Sequence, residues 1–198
     1  MPIAVYALAV GSFAICTTEF VIMGLLLNIS TDLNISLSAA GLLVTAYAGG
    51  VVLGAPLLTP FLAGLPRKPV LLGLMGLFTL GNIACTIAPT YELLFAARVV
   101  TALVQASFFG LGAVVATQLV TPDRQASAIS AMFLGATLAN VLGAPAGTLL
   151  GQYLGWRSTS IACAVLGVLA AVAIAFLVPR VKTQKVDGIA REFRTLVE

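Results

Sequence analysis

Residues 3–27 read IAVYALAVGSFAICTTEFVIMGLLL. A helix needs about twenty predominantly apolar residues to cross a bilayer. This run reaches that length only if Glu19 lies inside the hydrocarbon zone. A carboxylate there is costly unless it faces a water-filled cavity, takes a proton or meets a partner, so Glu19 reads as functional.

Of the 198 residues, 60% are hydrophobic and 9% are charged. Soluble domains carry about 25% charged residues, so this chain has little with which to face water. The mean hydropathy of +1.10 agrees, and a polytopic membrane protein follows. The net charge of +3 does not point to nucleic acid, because five of the ten Lys and Arg residues follow Leu177 and the rest are scattered. Cys16, Cys85 and Cys163 lie far apart inside apolar runs, a spacing that suits small buried residues rather than metal ligands or a disulfide framework. With no histidine in the chain, Ser–His proteolysis and His-ligated metals drop out. No nucleophile–base pair or metal cluster is visible, so neither an enzyme nor a metal or cofactor is expected. The first run lacks a basic leader and is too long for a signal peptide, so it is taken as a retained span.

Six apolar segments, at about 3–27, 38–62, 69–89, 92–119, 126–150 and 158–179, are each long enough to span with some tilt. Turn chemistry separates them at 28–38, 65–69, 89–92, 121–124 and 155–157. Residues 180–198 form a polar, basic tail, either a free end or the start of a linker. Eight basic residues, among them Arg67, Lys68 and Arg124, fall on the side of the chain ends, against Arg157 alone on the other. The positive-inside rule then places both termini in the cytoplasm. Tyr91, Tyr153 and Trp156 fall at outer boundaries and suit an interfacial belt.

Inside the spans, small residues recur every fourth position. The fifth span carries Gly135, Ala139, Gly143, Gly147 and Gly151, with Pro145 among them, and the second carries Gly41, Thr45 and Gly49. Such rows let backbones approach closely, either within the bundle or at a special interface. Two charges lie within the spans. Glu19 stands about 12 Å and Arg98 about 9 Å from the outer face, at 1.5 Å per residue. Opposite charges at one depth make each tolerable, although the long stem of Arg98 also permits snorkelling to the headgroups. Helical spacing sets Ala102, Gln105, Phe109 and Gly112 on one face with Arg98, while Asn140 is the notable polar residue of the fifth span. Gln105 and Asn140 read equally as substrate contacts or as helix–helix hydrogen bonds.

With these residues in view, the chain from about Ala4 to Pro179 resembles the N-terminal half of a major facilitator superfamily transporter. The closest likeness is to bacterial drug and sugar efflux proton antiporters. Thr18-Glu19-Phe20 with Gly24-Leu25-Leu26 looks like their first-helix signature. Arg98 to Ala102 matches the arginine-led fourth-helix motif, with Ala102 where glycine is usual. Gly143-Ala144-Pro145-Ala146-Gly147 is similar to the antiporter motif, and Gly155-Trp156-Arg157 to a common junction between the fifth and sixth helices. The loop after the second span departs, with Thr59 and Ala63 in place of glycine and aspartate and only Arg67 and Lys68 of the basic cluster present.

The resemblance implies an all-α membrane bundle of six helices in two inverted three-helix repeats, occupying residues 1–179, in a bacterial inner membrane. It implies proton-coupled efflux of small molecules, of the drug or sugar class, with antibiotic resistance as one outcome. Glu19 and Arg98 would couple protons, and Gln105, Phe109 and Asn140 would face the substrate cavity. The proton gradient would supply the energy, with no cofactor. By the same likeness the fifth-span glycine face would meet a second six-helix half, as homodimer, heterodimer or continuation of a longer chain. The alternative is a truncated or non-transporting subunit that assembles with another membrane protein.

Overall fold

The computed structural model describes residues 1–180, apart from the side chains at 55, 59, 60 and 63, so the tail expected beyond 180 lies outside the described residues. Six helices long and apolar enough to span a membrane account for nearly all of it. They run Ile3–Asp32, Leu37–Ala63, Arg67–Ile87, Tyr91–Gln118, Pro122–Leu154 and Trp156–Leu177.

Their ends follow local chemistry. Ser36 and Thr90 cap the second and fourth spans by accepting from the amides of Ala39 and Leu93, which satisfies helix N–H groups that have no partner within the helix. Pro69 falls inside the third span, in its first turn, where its missing N–H costs nothing. Gly155 joins the fifth span to the sixth at φ +87°, a conformation that side chains disfavour.

The first span runs further than its apolar stretch. Asn28 to Asp32 continue the helix, although their polarity reads as a loop. The Thr31 hydroxyl donates back to the carbonyls of Leu27 and Asn28, and Asn34 at φ 52° marks the end of the turn that follows. Within this span Ile22–Leu25 tighten to a 3₁₀ turn. The fifth span has the opposite irregularity, a π-turn at Ala139–Gly143 in which the amide of Ala144 reaches back to the carbonyl of Ala139. Pro145 follows directly; lacking an N–H, it cannot serve the carbonyl of Val141.

The second and fourth spans pack together, as do the first and fifth; the third packs on the fourth, the sixth on the first, and the third on the sixth. Exchanging the first span with the fourth, the second with the fifth and the third with the sixth maps this set onto itself. Exchanged spans run in opposite directions, which is the signature of inverted repeats.

Two apolar cores fill the bundle. One joins Leu8, Phe78, Phe108 and Ile174 towards the Arg67 end; the other joins Ile22, Leu43, Leu94 and Trp156 towards the Asp32 end. Between them lies a layer of buried polar residues that includes Thr18, Asn82, Arg98 and Thr159. Large apolar side chains such as Phe61, Leu80 and Phe176 point outward, as lipid contact requires.

The glycine rows sort differently from the expectation. A Cβ at Gly135 would collide with the Ala9 carbonyl oxygen and one at Gly143 with the Thr17 hydroxyl. At Gly147 it would come within 2.7 Å of Val21, and at Gly151 within 2.7 Å of Leu25 and Thr159. The fifth-span glycine face is thus consumed inside the bundle against the first and sixth spans, and is not the surface left for a second half. In the second span, Gly41 and Gly49 have nothing within 4 Å, while Gly50 and Gly54 lie against Ala102 and Leu103 of the fourth. The spacing in both rows is right for close packing; only the rotation of each helix selects the row that is used.

Candidate functional site

The polar layer is built by side chains from several spans. Tyr47 of the second donates its hydroxyl to Gln105 Oε1 of the fourth at 2.8 Å. Gln105 Nε2 in turn donates to Glu19 Oε2 of the first at 2.8 Å. Tyr47 is 1% exposed and Gln105 7%, so this relay runs through the interior and ends at a half-buried carboxylate.

Arg98 reaches the backbone of Thr18, the residue before Glu19, but does not pair with Glu19. Among the described residues the ion pairs are Asp123 with Arg124 and Asp32 with Arg157. Arg98 is 4% exposed, which rules out snorkelling to the surface. Its Nη1 donates to the Thr18 carbonyl at 2.9 Å, and its guanidinium lies 4.5 Å from the centre of the Tyr47 ring. A carbonyl and an aromatic face are each attractive to a cation, and together they replace a direct carboxylate partner. On its other flank, Thr18 Oγ1 donates to Asn82 Oδ1 at 3.2 Å, and Asn82 Nδ2 to the carbonyl of Phe78 at 2.9 Å. Glu19 and Arg98 are therefore opposite charges linked through Gln105 and Tyr47, with the stacked ring between them.

The other expected residues separate from this cluster. Phe109 is half-buried and packs on Phe133 of the fifth span with ring centres 5.0 Å apart. Asn140 sits in the π-turn, exposed, and donates to the Ala136 carbonyl of its own helix. Pro145 is exposed beside it. Lys68 donates to the Ala175 carbonyl at 2.6 Å, at the C-terminal end of the sixth span, where a cation suits unpaired carbonyls. Arg67 is half-buried at the start of the third span.

Two features escape a linear reading. Tyr47 is an isolated tyrosine in mid-span rather than at a boundary, and that position is the signal that could have drawn attention to it. Asp32, Trp156 and Arg157 meet at one end of the bundle: Asp32 Oδ2 accepts from Trp156 Nε1 at 3.1 Å and from Arg157 Nη1, while Arg157 Nη2 donates to the Ala88 carbonyl at 3.1 Å. The signal for it was one acid and one base on the same side.

The Inner membrane transport protein YdhP of Escherichia coli (strain K12) is 49% identical over 174 residues, which are 88% of this chain and 45% of that protein. A Chloramphenicol resistance protein of Streptomyces lividans is 37% identical over 179 residues, 90% of this chain and 46% of that one. The chain thus spans about half the length of the curated relatives it matches. A crystal structure of the peptide transporter POT in complex with sulfate superposes with TM-score 0.80 at 15% identity, covering 100% of this chain and 43% of that one; at that identity the likeness speaks for the fold alone. The family model of the Major Facilitator Superfamily matches residues 8–197. With six spanning helices in inverted repeats and the family model matching nearly all of it, the chain is a multi-pass membrane protein that belongs to the Major Facilitator Superfamily.

Proposed function

We propose that this chain is the N-terminal six-helix unit of a proton-coupled exporter of small molecules in a bacterial inner membrane, with both termini cytoplasmic. The observation that carries the reading is Glu19: a carboxylate at mid-span, half-buried, held by an amide donor and not neutralised by direct pairing with Arg98. Such a group can take up and release a proton without breaking a salt bridge. Protonated, it is neutral and still accepts from Gln105 Nε2. Ionised, it offers its second oxygen to a cationic or donor-bearing substrate. Proton and substrate compete for one carboxylate, so an inward proton gradient drives outward release.

Gln105 orients the carboxylate, and Tyr47 orients Gln105. Phe109 and Asn140 belong to the face that would meet substrate and a second six-helix unit. A drug-class substrate is supported by the relative named for chloramphenicol resistance, and the cytoplasmic termini by the loop-charge count.

The test is growth of expressing bacteria on a panel of toxic compounds that includes chloramphenicol, with accumulation measured as external pH varies. Wild type protects in a pH-dependent way, and Glu19→Gln loses protection while inserting normally. Protection by Glu19→Gln with unchanged pH dependence would sink the coupling role. Absence of protection by the wild-type chain, alone or with a second six-helix unit, would sink the export reading.

A further inference from the structure

Arg98 also borders a second feature. A cavity of about 30 Å³ lies between the first, third, fourth and sixth spans. Its lining includes the polar side chains of Thr18, Asn82, Arg98 and Ser160 and the thiols of Cys85 and Cys163. Ile22, Leu25, Ile29, Leu94 and Trp156 supply the apolar part of its lining, on the side of the Asp32 end. Glu19, Gln105 and Tyr47 do not line it.

Two observations say what belongs there. Arg98 Nε and Nη2 are buried and find no partner among the described residues, and buried guanidinium nitrogens are ordinarily hydrogen-bonded to protein or ordered water. A cavity of this volume has room for a water molecule, which needs at least about 10–15 Å³ and two to four polar neighbours. Through Trp156 its lining joins the cluster of Asp32, Trp156 and Arg157. Trp156 is at once a wall of the cavity and a donor to Asp32, and Arg157 ties Asp32 to Ala88. One cluster therefore staples the ends of the first, third and sixth spans, three of the cavity's four walls.

We propose that this cavity is a hydration site holding one or two waters on Arg98, and that the Asp32–Trp156–Arg157 cluster is its lid. Water then reaches Arg98 from the Asp32 end through the inside of the bundle, by a route separate from the face that opens to Glu19. The Tyr47–Gln105 pair is the partition between the two. This inference does not depend on export.

Cys85 and Cys163 line the cavity and Cys16 does not, which supplies a native reporter. The full chain in lipid nanodiscs is treated with methyl methanethiosulfonate, and modification of each cysteine is followed by peptide mass spectrometry. Asp32→Asn is expected to raise the rates at Cys85 and Cys163 about fivefold, which corresponds to about 1 kcal/mol, the upper end for a half-exposed ion pair, and to leave Cys16 unchanged. Arg157→Gln should do the same. Adding Ser160→Leu, which fills the cavity, should return the rates to wild type. Unchanged rates at Cys85 and Cys163 would overturn the lid. Parallel acceleration of Cys16 would overturn it too, since it reports general loosening. Protection of both thiols by chloride against gluconate would overturn the hydration site in favour of an anion site.

Discussion

Replacing Tyr47 by Phe removes one atom from the relay and leaves the ring. The hydroxyl donates to Gln105 Oε1 at 2.8 Å, and both residues are buried, so the variant strands an amide oxygen. In a soluble protein an unsatisfied buried acceptor costs about 1–3 kcal/mol. Within membranes, side-chain hydrogen bonds average only about 0.6 kcal/mol, because the inserted but unfolded helices also find partners. The Tyr47–Gln105 bond joins two spans across a dry interior, so we expect about 1 kcal/mol. That corresponds to about 2–4 °C in melting temperature for a chain of this size. Tyr47→Leu loses the same bond and also the ring 4.5 Å from the Arg98 guanidinium. A desolvated cation–π contact adds up to about 2 kcal/mol, so the Tyr47→Leu protein should melt well below the Tyr47→Phe protein. The assay is thermal unfolding of purified protein in one detergent, with Gln105→Leu alone and combined with Tyr47→Phe. If the relay is real, the hydroxyl loses its value once Gln105 is gone, and the cycle shows coupling of about 0.5 kcal/mol or more. Strict additivity would refute the relay. Equal melting of the Tyr47→Phe and Tyr47→Leu proteins would refute the stacking.

Three further outcomes follow from the packing. Gly135→Ala places a methyl on the Ala9 carbonyl oxygen, a backbone neighbour that cannot rotate away. It should cost about 1–3 kcal/mol and lower the yield of folded protein in detergent, whereas Gly76→Ala, with nothing within 4 Å, should be neutral or stabilise by up to about 1 kcal/mol. Gly155→Ala forces a side chain to φ +87° and should cost about 1–3 kcal/mol, read as a lower melting temperature. Arg98→Lys keeps the charge but loses the guanidinium over the Tyr47 ring; it should destabilise by about 1–2 kcal/mol, and a melting temperature equal to wild type would refute that contact's contribution.

Several of these positions are legible without coordinates. Six apolar runs of spanning length with turn residues between them identify the spans, because backbone groups in lipid must be satisfied within each helix. Counting residues from the outer boundary places Glu19 and Arg98 at one depth. Rotation about each helix axis is not legible. Gly49 and Gly50 are neighbours in sequence, yet Gly49 faces outward and Gly50 meets Ala102; a row at every fourth residue looks the same whichever way it turns. The first span outruns its hydrophobic stretch because Thr31 satisfies its hydroxyl on the helix itself, which a count of apolar residues does not register.

The same gap separates the expected charge pair from the observed one. Equal depth suggests that Glu19 and Arg98 touch, since that is the simplest way to offset two charges in lipid. The bundle offsets them separately: an amide for the carboxylate, a carbonyl and an aromatic face for the guanidinium. A direct buried pair would hold both groups ionised and closed, because breaking it strands a charge at a cost of about 3–5 kcal/mol. With Gln105 and Tyr47 between them, neither group holds the other by a direct bond. On the proposed coupling role, that separation is what leaves the carboxylate free to exchange a proton. Inserting a direct partner should remove that freedom: in Gln105→Lys, a cation beside Glu19 would hold it ionised, and pH-dependent protection should vanish while the protein still inserts. Retained pH dependence in that variant would mean that the titrating group is not Glu19.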